Sequence, residues 1–261
     1  MVIYPVCSSS KGNCIYIKSK ETAILVDVGI SFKALINSLS LAGLSEKNIK
    51  AIFITHEHSD HVSGLYSATK FLGVPVYSSK ETLKALIIKD LIFKGTKLYE
   101  IDKKIANIFN LSVGAFRVFH DSADGVRFKI FDGEKKFSVC TDVGMPTVQL
   151  IETLKDSDFV LLESNYDVEM LKKGRYPFML KKRIASSFGH LSNYDAAKVI
   201  NALIEKGVKK FLLGHLSQNN NLPQIALKTV VSYLLEKGKK FNEDYFLYVA
   251  PVRSIGKVFE I

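Results

Sequence analysis

Several things are scarce in this chain, and each scarcity excludes a class of protein. No apolar run in its 261 residues approaches the roughly 18 needed to span a bilayer, so no membrane association is expected. The opening MVIYPVCSSSKGN has neither the charged n-region nor the long apolar h-region of a signal peptide, which makes cytoplasm the expected compartment. Cysteine is limited to Cys7, Cys14 and Cys140, with no CxxC pair. That argues against a disulfide framework or a zinc knuckle and suits a reducing milieu. Cys140, inside the apolar run FSVC, reads as a core thiol. Acid is outnumbered by base, 26 residues against 36, for a net charge of +10. A surplus of that sign favours polyanionic partners, although an AT-rich genome that overuses lysine accounts for it as well.

What is present is a globular chain. Hydrophobic residues make up 47% and the mean hydropathy is +0.12, which excludes disorder. Apolar β-type segments open it (2–6, 14–18, 23–27), and a helical pattern follows over 32–44, with Leu35, Ile36, Leu39 and Ala42 at helical spacing. KAIFIT (50–55) reads as a buried strand, and a helix with Val62, Leu65, Tyr66 and Leu72 on one face follows Asp60. A short strand and a helix are expected over 74–92. Residues 112–141 turn β again, with hairpin signals at Asp124-Gly125 and Asp132-Gly133. Helices over 146–155, 194–206 and 223–237 then alternate with strands over 158–163 and 209–214, before final strands near 245–249 and 256–260. No stretch resembles a linker, so residues 1–261 read as one domain. AILVDVG (23–29) and FSVCTDVG (137–144) echo each other, each running an apolar strand into Asp-Val-Gly.

The densest chemistry lies in ITHEHSDHVSG (54–64), which holds three of the six histidines. An extended backbone sends alternate side chains to one side, so His56 and His58 can face one ion. The turn into the following helix re-aims Asp60 and His61, naturally toward a second ion. Imidazoles with a carboxylate suit zinc and similar divalent metals.

HxHxDH is the signature of the metallo-β-lactamase superfamily, which the chain resembles further in ILVDVG, RVFHDSAD, CTDVG and LLGHLSQNN, in that order. The resemblance implies an αββα sandwich of two mixed sheets flanked by helices, with two divalent ions, zinc or manganese, at one edge of the sheets. It assigns His56, His58 and His120 to one metal, Asp60, His61 and His215 to the other, and Asp142 to a bridge. Asp27 becomes the carboxylate that buttresses the ligand loop. Such sites hydrolyse β-lactams, thioesters, lactones and phosphodiesters alike, so fold and metals do not select the substrate.

The order of a strand-end Glu163, then Gly189-His190-x-Ser192, then His215-x-Ser217 resembles the nuclease branch, notably tRNase Z. Carried over, Glu163 orients and charges His190 as general acid, and Asp60, Glu163 and His190 are the candidate catalytic residues. Ser192, three residues before Asp195, reads chiefly as a helix cap. HEHSDHVSG, CTDVG, LESNYDVEMLKKGRYPFMLKKRI, GHLSN and HLSQNNN together resemble the YycJ (WalJ) family over nearly the whole chain. That resemblance implies a metal-dependent 5′-to-3′ exonuclease, acting on DNA in preference to RNA, that coexists with a cell-wall two-component system.

Only 26 residues separate Glu163 from His190, too few for the inserted domain of β-CASP nucleases. Cys7 and Cys14 flank SSSKGN (8–13), where relatives tend to carry small residues. This turn is either a nest offering amides and Lys11 to a phosphate or a plain hairpin connection. Lys172, Lys173, Arg175, Lys181, Lys182 and Arg183, with Tyr176 and Phe178 among them, are candidates for a backbone-tracking, base-stacking surface or a solvated helix face. Two rival functions stand beside the exonuclease: a glyoxalase II-like thioester or lactone hydrolase, and a non-catalytic partner of the signalling system.

Overall fold

The computed structural model describes residues 1–102, 104–252 and 256–261. They divide into two compact units: Met1–Arg117, Ser122–Lys135 and Pro251–Ile261 form the first, and Val118–Asp121 with Lys136–Ala250 the second.

The first unit begins with β1 (Val2–Ser9), β2 (Gly12–Ser19) and β3 (Thr22–Val26), an antiparallel meander. Only Ser10 and Lys11 separate β1 from β2, so the serine-rich turn is a tight hairpin connection. Helix α1 (Phe32–Leu41) starts where the Ser31 hydroxyl accepts from the Ala34 amide at 3.3 Å, and it buries Leu35, Ser38 and Leu39. It leads to β4 (Ile49–Phe53), parallel to β3. The helix expected after Asp60 is two helices, α2 (Ser59–Val62) and α3 (Leu65–Leu72). Gly64 interrupts it, because a Cβ there would meet the Ile30 carbonyl oxygen at 1.9 Å. The break re-aims the second face: Leu65, Ala68 and Thr69 are buried, whereas Tyr66 is exposed. Strand β5 (Val76–Ser78), α4 (Lys80–Ile88) and β6 (Leu98–Glu100) extend the sheet in parallel. An antiparallel run, β7 (Ile105–Ile108), β8 (Leu111–Arg117) and β9 (Val126–Phe131), follows. The Asp132-Gly133 signal is a tight turn, with Gly133 at φ 99° and the Asp132 carboxylate accepting from the amides of Glu134 and Lys135. Asp124-Gly125 instead ends a long connection (118–125) that carries His120.

The second unit is built on four parallel strands: β10 (Lys136–Cys140), β11 (Phe159–Glu163), β12 (Lys210–Gly214) and β13 (Phe246–Val249). All five residues of β11 are buried, as expected of a parallel strand covered on both faces. The helices are α5 (Val148–Leu154), α6 (Val168–Lys173), α7 (Phe178–Ile184), α8 (Asn193–Glu205) and α9 (Pro223–Glu236). Ser192 caps α8, its hydroxyl accepting from the Asp195 amide at 3.0 Å. The chain ends in the first unit with β14 (Phe259–Glu260), antiparallel to β1. Among the described residues the strands thus form two mixed sheets of seven flanked by helices, the architecture expected. No helix among them is long and apolar enough to cross a membrane.

Candidate metal centre

In the first unit the ligand candidates hang from the ends of β3 and β4. Asp27 follows β3 in the left-handed region, at φ 60°, a conformation costly for most side chains and concentrated at functional sites. The bend turns its carboxylate onto the segment after β4. Oδ1 accepts from the Thr55 amide at 2.8 Å, and Oδ2 accepts from the Thr55 hydroxyl at 2.9 Å and from His61 Nδ1 at 2.7 Å. These contacts fix protons. A hydroxyl has one hydrogen; Thr55 gives its own to Asp27 and so accepts from His56 Nδ1, 3.0 Å away. His56 and His61 therefore both carry their proton on Nδ1 and expose a lone pair on Nε2. The Asp27 carboxylate thus binds the segment that carries the ligand candidates, and Thr55, which sequence reasoning missed, relays it to His56.

Those lone pairs converge within the unit. His56 Nε2 lies 3.0 Å from His58 Nδ1, and His61 Nε2 lies 3.3 Å from Asp60 Oδ2. Two ligands of a tetrahedral zinc, each about 2.0–2.1 Å from the ion, are roughly 3.3–3.4 Å apart. Imidazole and carboxylate donors at that spacing fit a divalent metal. Asn13 was also missed: from the start of β2 its amide reaches His61 Nε2 at 3.2 Å and Asp60 Oδ2 at 3.3 Å. Cys7 and Cys14 face each other across β1 and β2, both buried as free thiols, and burial pushes the Cys7 thiol up to about 12. Cys140 is a fully buried core thiol, as expected.

The second unit holds a matching cluster around Asp142. Its Oδ1 lies 3.4 Å from His215 Nε2 and 3.7 Å from His120 Nε2. Donor atoms of Asp142, Glu163, His190 and His215 all lie within 4.8 Å of one another. His120 Nδ1 is 3.1 Å from the Gly189 carbonyl, which can only accept, so the ring proton sits on Nδ1 and the lone pair on Nε2. Glu163 organises the rest. Its Oε2 accepts from the amides of Val143 (2.8 Å) and Leu191 (2.9 Å), while Oε1 accepts from Nδ1 of both His190 (2.8 Å) and His215 (2.7 Å). Burial opposes ionisation of this carboxyl most strongly, yet the charge and hydrogen bond of His190, then those of His215, outweigh it and bring it down to about 2. Sequence reasoning gave Glu163 a single partner, His190; its hold on the ligand candidate His215 was missed. Asn165 adds a bond to the His215 carbonyl at 2.8 Å, and Asn193 and Asn221 cross-link the neighbouring loops through paired amides. This explains why GHLSN and HLSQNNN carry so much amide.

The Asp-Val-Gly echo is structural. Asp142, at φ 56°, follows β10 as Asp27 follows β3. Each glycine sits where a side chain is impossible: a Cβ on Gly29 would lie 1.7 Å from the Asp60 carbonyl oxygen, and one on Gly144 would lie 2.0 Å from that of Ser187. His215, directly after β12, shares the conformation of the two aspartates at φ 55°.

The basic segment spans α6 and α7. Lys172, Lys173, Arg175, Lys182 and Arg183 are exposed and Lys181 is half-buried. Lys173 pairs with Glu169 at 3.2 Å, Lys181 donates to the Lys172 carbonyl at 2.8 Å, and Arg183 grips Asp121 beside His120. Among the described residues Lys172, Arg175 and Lys182 make no ion pair. Phe178 and Met179 project outward, as does Phe188, whose ring meets Phe119 edge-on at 5.9 Å. Backbone bonds from Asp121 to Phe188 and from Gly144 to Phe119 tie this apolar pair to the ligand segments.

Residues 10–140 match the family model of the metallo-beta-lactamase superfamily. The chain is 32% identical over 243 residues to the exodeoxyribonuclease YycJ of Bacillus anthracis, covering 92% of each chain. It is 31% identical over 251 residues to the exodeoxyribonuclease WalJ of Streptococcus pneumoniae, covering 92% of this chain and 91% of that one. Among solved structures, zinc-bound PqqB of Methylobacterium extorquens superposes over the full length of both chains with a TM-score of 0.73 at 16% identity, a likeness of fold.

Proposed function

Since this chain belongs to the metallo-beta-lactamase superfamily, and within it to the family of the YycJ and WalJ exodeoxyribonucleases, we propose that it is a cytoplasmic, dinuclear-metal 5′-to-3′ exonuclease of DNA, its two units acting as one catalytic domain. His56, His58 and His120 would hold one ion and Asp60, His61 and His215 the other, with Asp142 as a ligand common to both. Two divalent ions, zinc or manganese, would supply Lewis acidity toward the phosphoryl oxygens and activate water as the nucleophile.

The remaining work belongs to the chain's own residues. Asp27 and Thr55 keep His56 and His61 in the tautomer that offers Nε2. Glu163 does the same for His215. Because Glu163 also accepts the Nδ1–H of His190, that ring presents Nε2 outward, and in its charged form, with a proton on each nitrogen, it donates the Nε2 proton to the leaving alkoxide and is left neutral. A phosphodiester needs that proton; a thiolate leaves unaided. Lys172, Arg175 and Lys182 attract the phosphate backbone, while the exposed rings of Phe119 and Phe188 can stack bases beside the ligand segments.

The observation that carries the reading is the single buried carboxylate that holds both His190 and His215. On this reading it joins the proton donor to a metal ligand, and a thioesterase, whose thiolate leaves unaided, does not need that proton. The test is incubation of metal-loaded protein with 5′- and 3′-labelled DNA and RNA, with and without chelator, beside a thioester substrate. Chelator-sensitive release of nucleotides from 5′ ends of DNA is expected. Thioester cleavage with no attack on nucleic acid would favour the glyoxalase II-like reading, and activity on neither would favour a regulatory one.

A further inference from the structure

The parallel strands β4, β5 and β6 carry an aromatic ladder that none of the chemistry above uses. Phe53, Tyr77 and Tyr99 stand in register across the three strands. The rings of Phe53 and Tyr77 stack at 4.8 Å and 17°, and those of Tyr77 and Tyr99 at 5.0 Å and 23°. The ladder runs from the core outward. Phe53 is fully buried, Tyr77 half-buried, and Tyr99, on the edge strand, is 44% exposed. Its last two rungs line a cavity of about 450 Å³.

The other wall of this cavity is cationic. Lys70 of α3, with Lys94 and Lys97 of the loop before β6, lines it together with Phe93, and no acidic residue does. All three lysines are exposed, and none makes an ion pair among the described residues. The loop is held in place: Thr96 closes a turn onto the Phe93 carbonyl through its amide (3.1 Å) and its hydroxyl (2.7 Å), and the Phe93 amide donates to the Thr69 hydroxyl at 3.1 Å. The lysines are thus carried on ordered backbone. Stacked rings ending in an open face, beside three cations without counter-charge, form a surface for a flat ring that bears an anion.

We infer that this cavity is a nucleotide-binding site, in which a base stacks as the next rung beyond Tyr99 and Lys94 and Lys97 take its phosphate. The same chemistry is offered by a free nucleoside monophosphate and by one nucleotide of a single strand. A ring that continues a stack gains the contacts that sequence-tolerant single-strand binders obtain from aromatic platforms. The phosphate contribution falls with salt, because each contact releases counterions.

The site can be tested on the metal-loaded full chain by following backbone amide signals of Gly95, Thr96, Lys97 and Tyr99 in NMR titrations. The probes are deoxyadenosine monophosphate, deoxyadenosine, ribose 5-phosphate, and a phosphorothioate-linked single strand that resists cleavage. The monophosphate or the strand should shift these signals. Tyr99→Ala should weaken that binding roughly tenfold or more, the usual share of one stacked base, while Tyr99→Phe keeps it. Joint replacement of Lys94 and Lys97 by Gln, a change confined to exposed side chains, should weaken binding and flatten its salt dependence. Deoxyadenosine and ribose 5-phosphate, each lacking one half of the recognition, should bind far more weakly. Response to the strand alone assigns the site to substrate grip, and response to the monophosphate also assigns it to free nucleotide. Shifts that fall elsewhere, or binding indifferent to Tyr99→Ala and to both lysines, would overturn the inference. Binding is read without turnover, so the outcome is independent of whether the protein proves to be an exonuclease.

Discussion

Replacing Glu163 by Gln probes the site where its hydrogen bonds are least forgiving. The carboxylate is fully buried and accepts from four N–H groups, two on each oxygen. An amide offers one oxygen and one NH2, so one pair of donors must face another donor. The backbone amides of Val143 and Leu191 cannot reverse, which turns the NH2 toward His190 and His215. Each ring then loses its bond or shifts its proton to Nε2, the nitrogen of His215 that the proposal assigns to the metal. Hydrogen bonds to a charged group are worth about 1.5–3 kcal/mol each, so losing two should cost roughly 3–6 kcal/mol. For a chain of this size that corresponds to a fall in Tm of about 10 °C. If His215 is a ligand as proposed, the variant should also hold less metal than wild type. Calorimetry in metal-replete buffer and elemental analysis of the same sample measure both. A variant that melts within a degree or two of wild type and keeps its full metal would refute the shared-carboxylate account.

Other substitutions separate the remaining roles. His190→Ala should slow DNA cleavage by roughly 10²–10⁴ with metal content intact, while a p-nitrophenyl phosphodiester, whose leaving group needs no proton, should be cleaved far closer to the wild-type rate. Equal loss on both substrates would make His190 a phosphate ligand. Replacing Lys172, Arg175 and Lys182 by Gln should weaken DNA binding at every sequence and reduce the log–log salt slope by roughly 0.7–0.9 per lost phosphate contact; an unchanged slope leaves them a solvated face. Cys7 should resist iodoacetamide at neutral pH in the folded protein. Its thiol is raised from 9.0 to about 12 by burial, so the folded state binds the proton more tightly than the unfolded one. Its contribution to stability is therefore complete below about pH 9 and is lost as pH rises toward 12, which denaturant titrations at stepped alkaline pH would register.

Much of this centre is legible in the chain, and the parts that are not share a cause. HxHxDH, the two Asp-Val-Gly strand ends, His120 and His215 announce themselves because metal-binding side chains follow apolar strands at short spacing. Parallel strands such as DFVLLE are equally plain as continuous apolar runs. Thr55, Asn13 and Asn165 are silent, since a hydroxyl or amide that fixes a tautomer has no periodicity and no required neighbour in sequence. Glu163 was visible only as half of a pair; its second partner, His215, lies 52 residues further on and is brought to it by the parallel register of β11 and β12. The break at Gly64 was invisible because its reason is the distant Ile30 carbonyl. In the basic segment the sequence counts six cations, yet it does not reveal that Arg183 is committed to Asp121.

The central claim is that paired divalent ions held by both ligand clusters cleave DNA, and a metal titration of exonuclease activity meets it most directly. Protein stripped by chelator should release nothing from 5′-labelled DNA and should regain activity as it takes up two equivalents of zinc or manganese. Asp142→Ala, which removes the carboxylate assigned to the bridge, should neither hold the second equivalent nor recover. Full cleavage by the stripped protein, or full recovery by Asp142→Ala, would contradict the account.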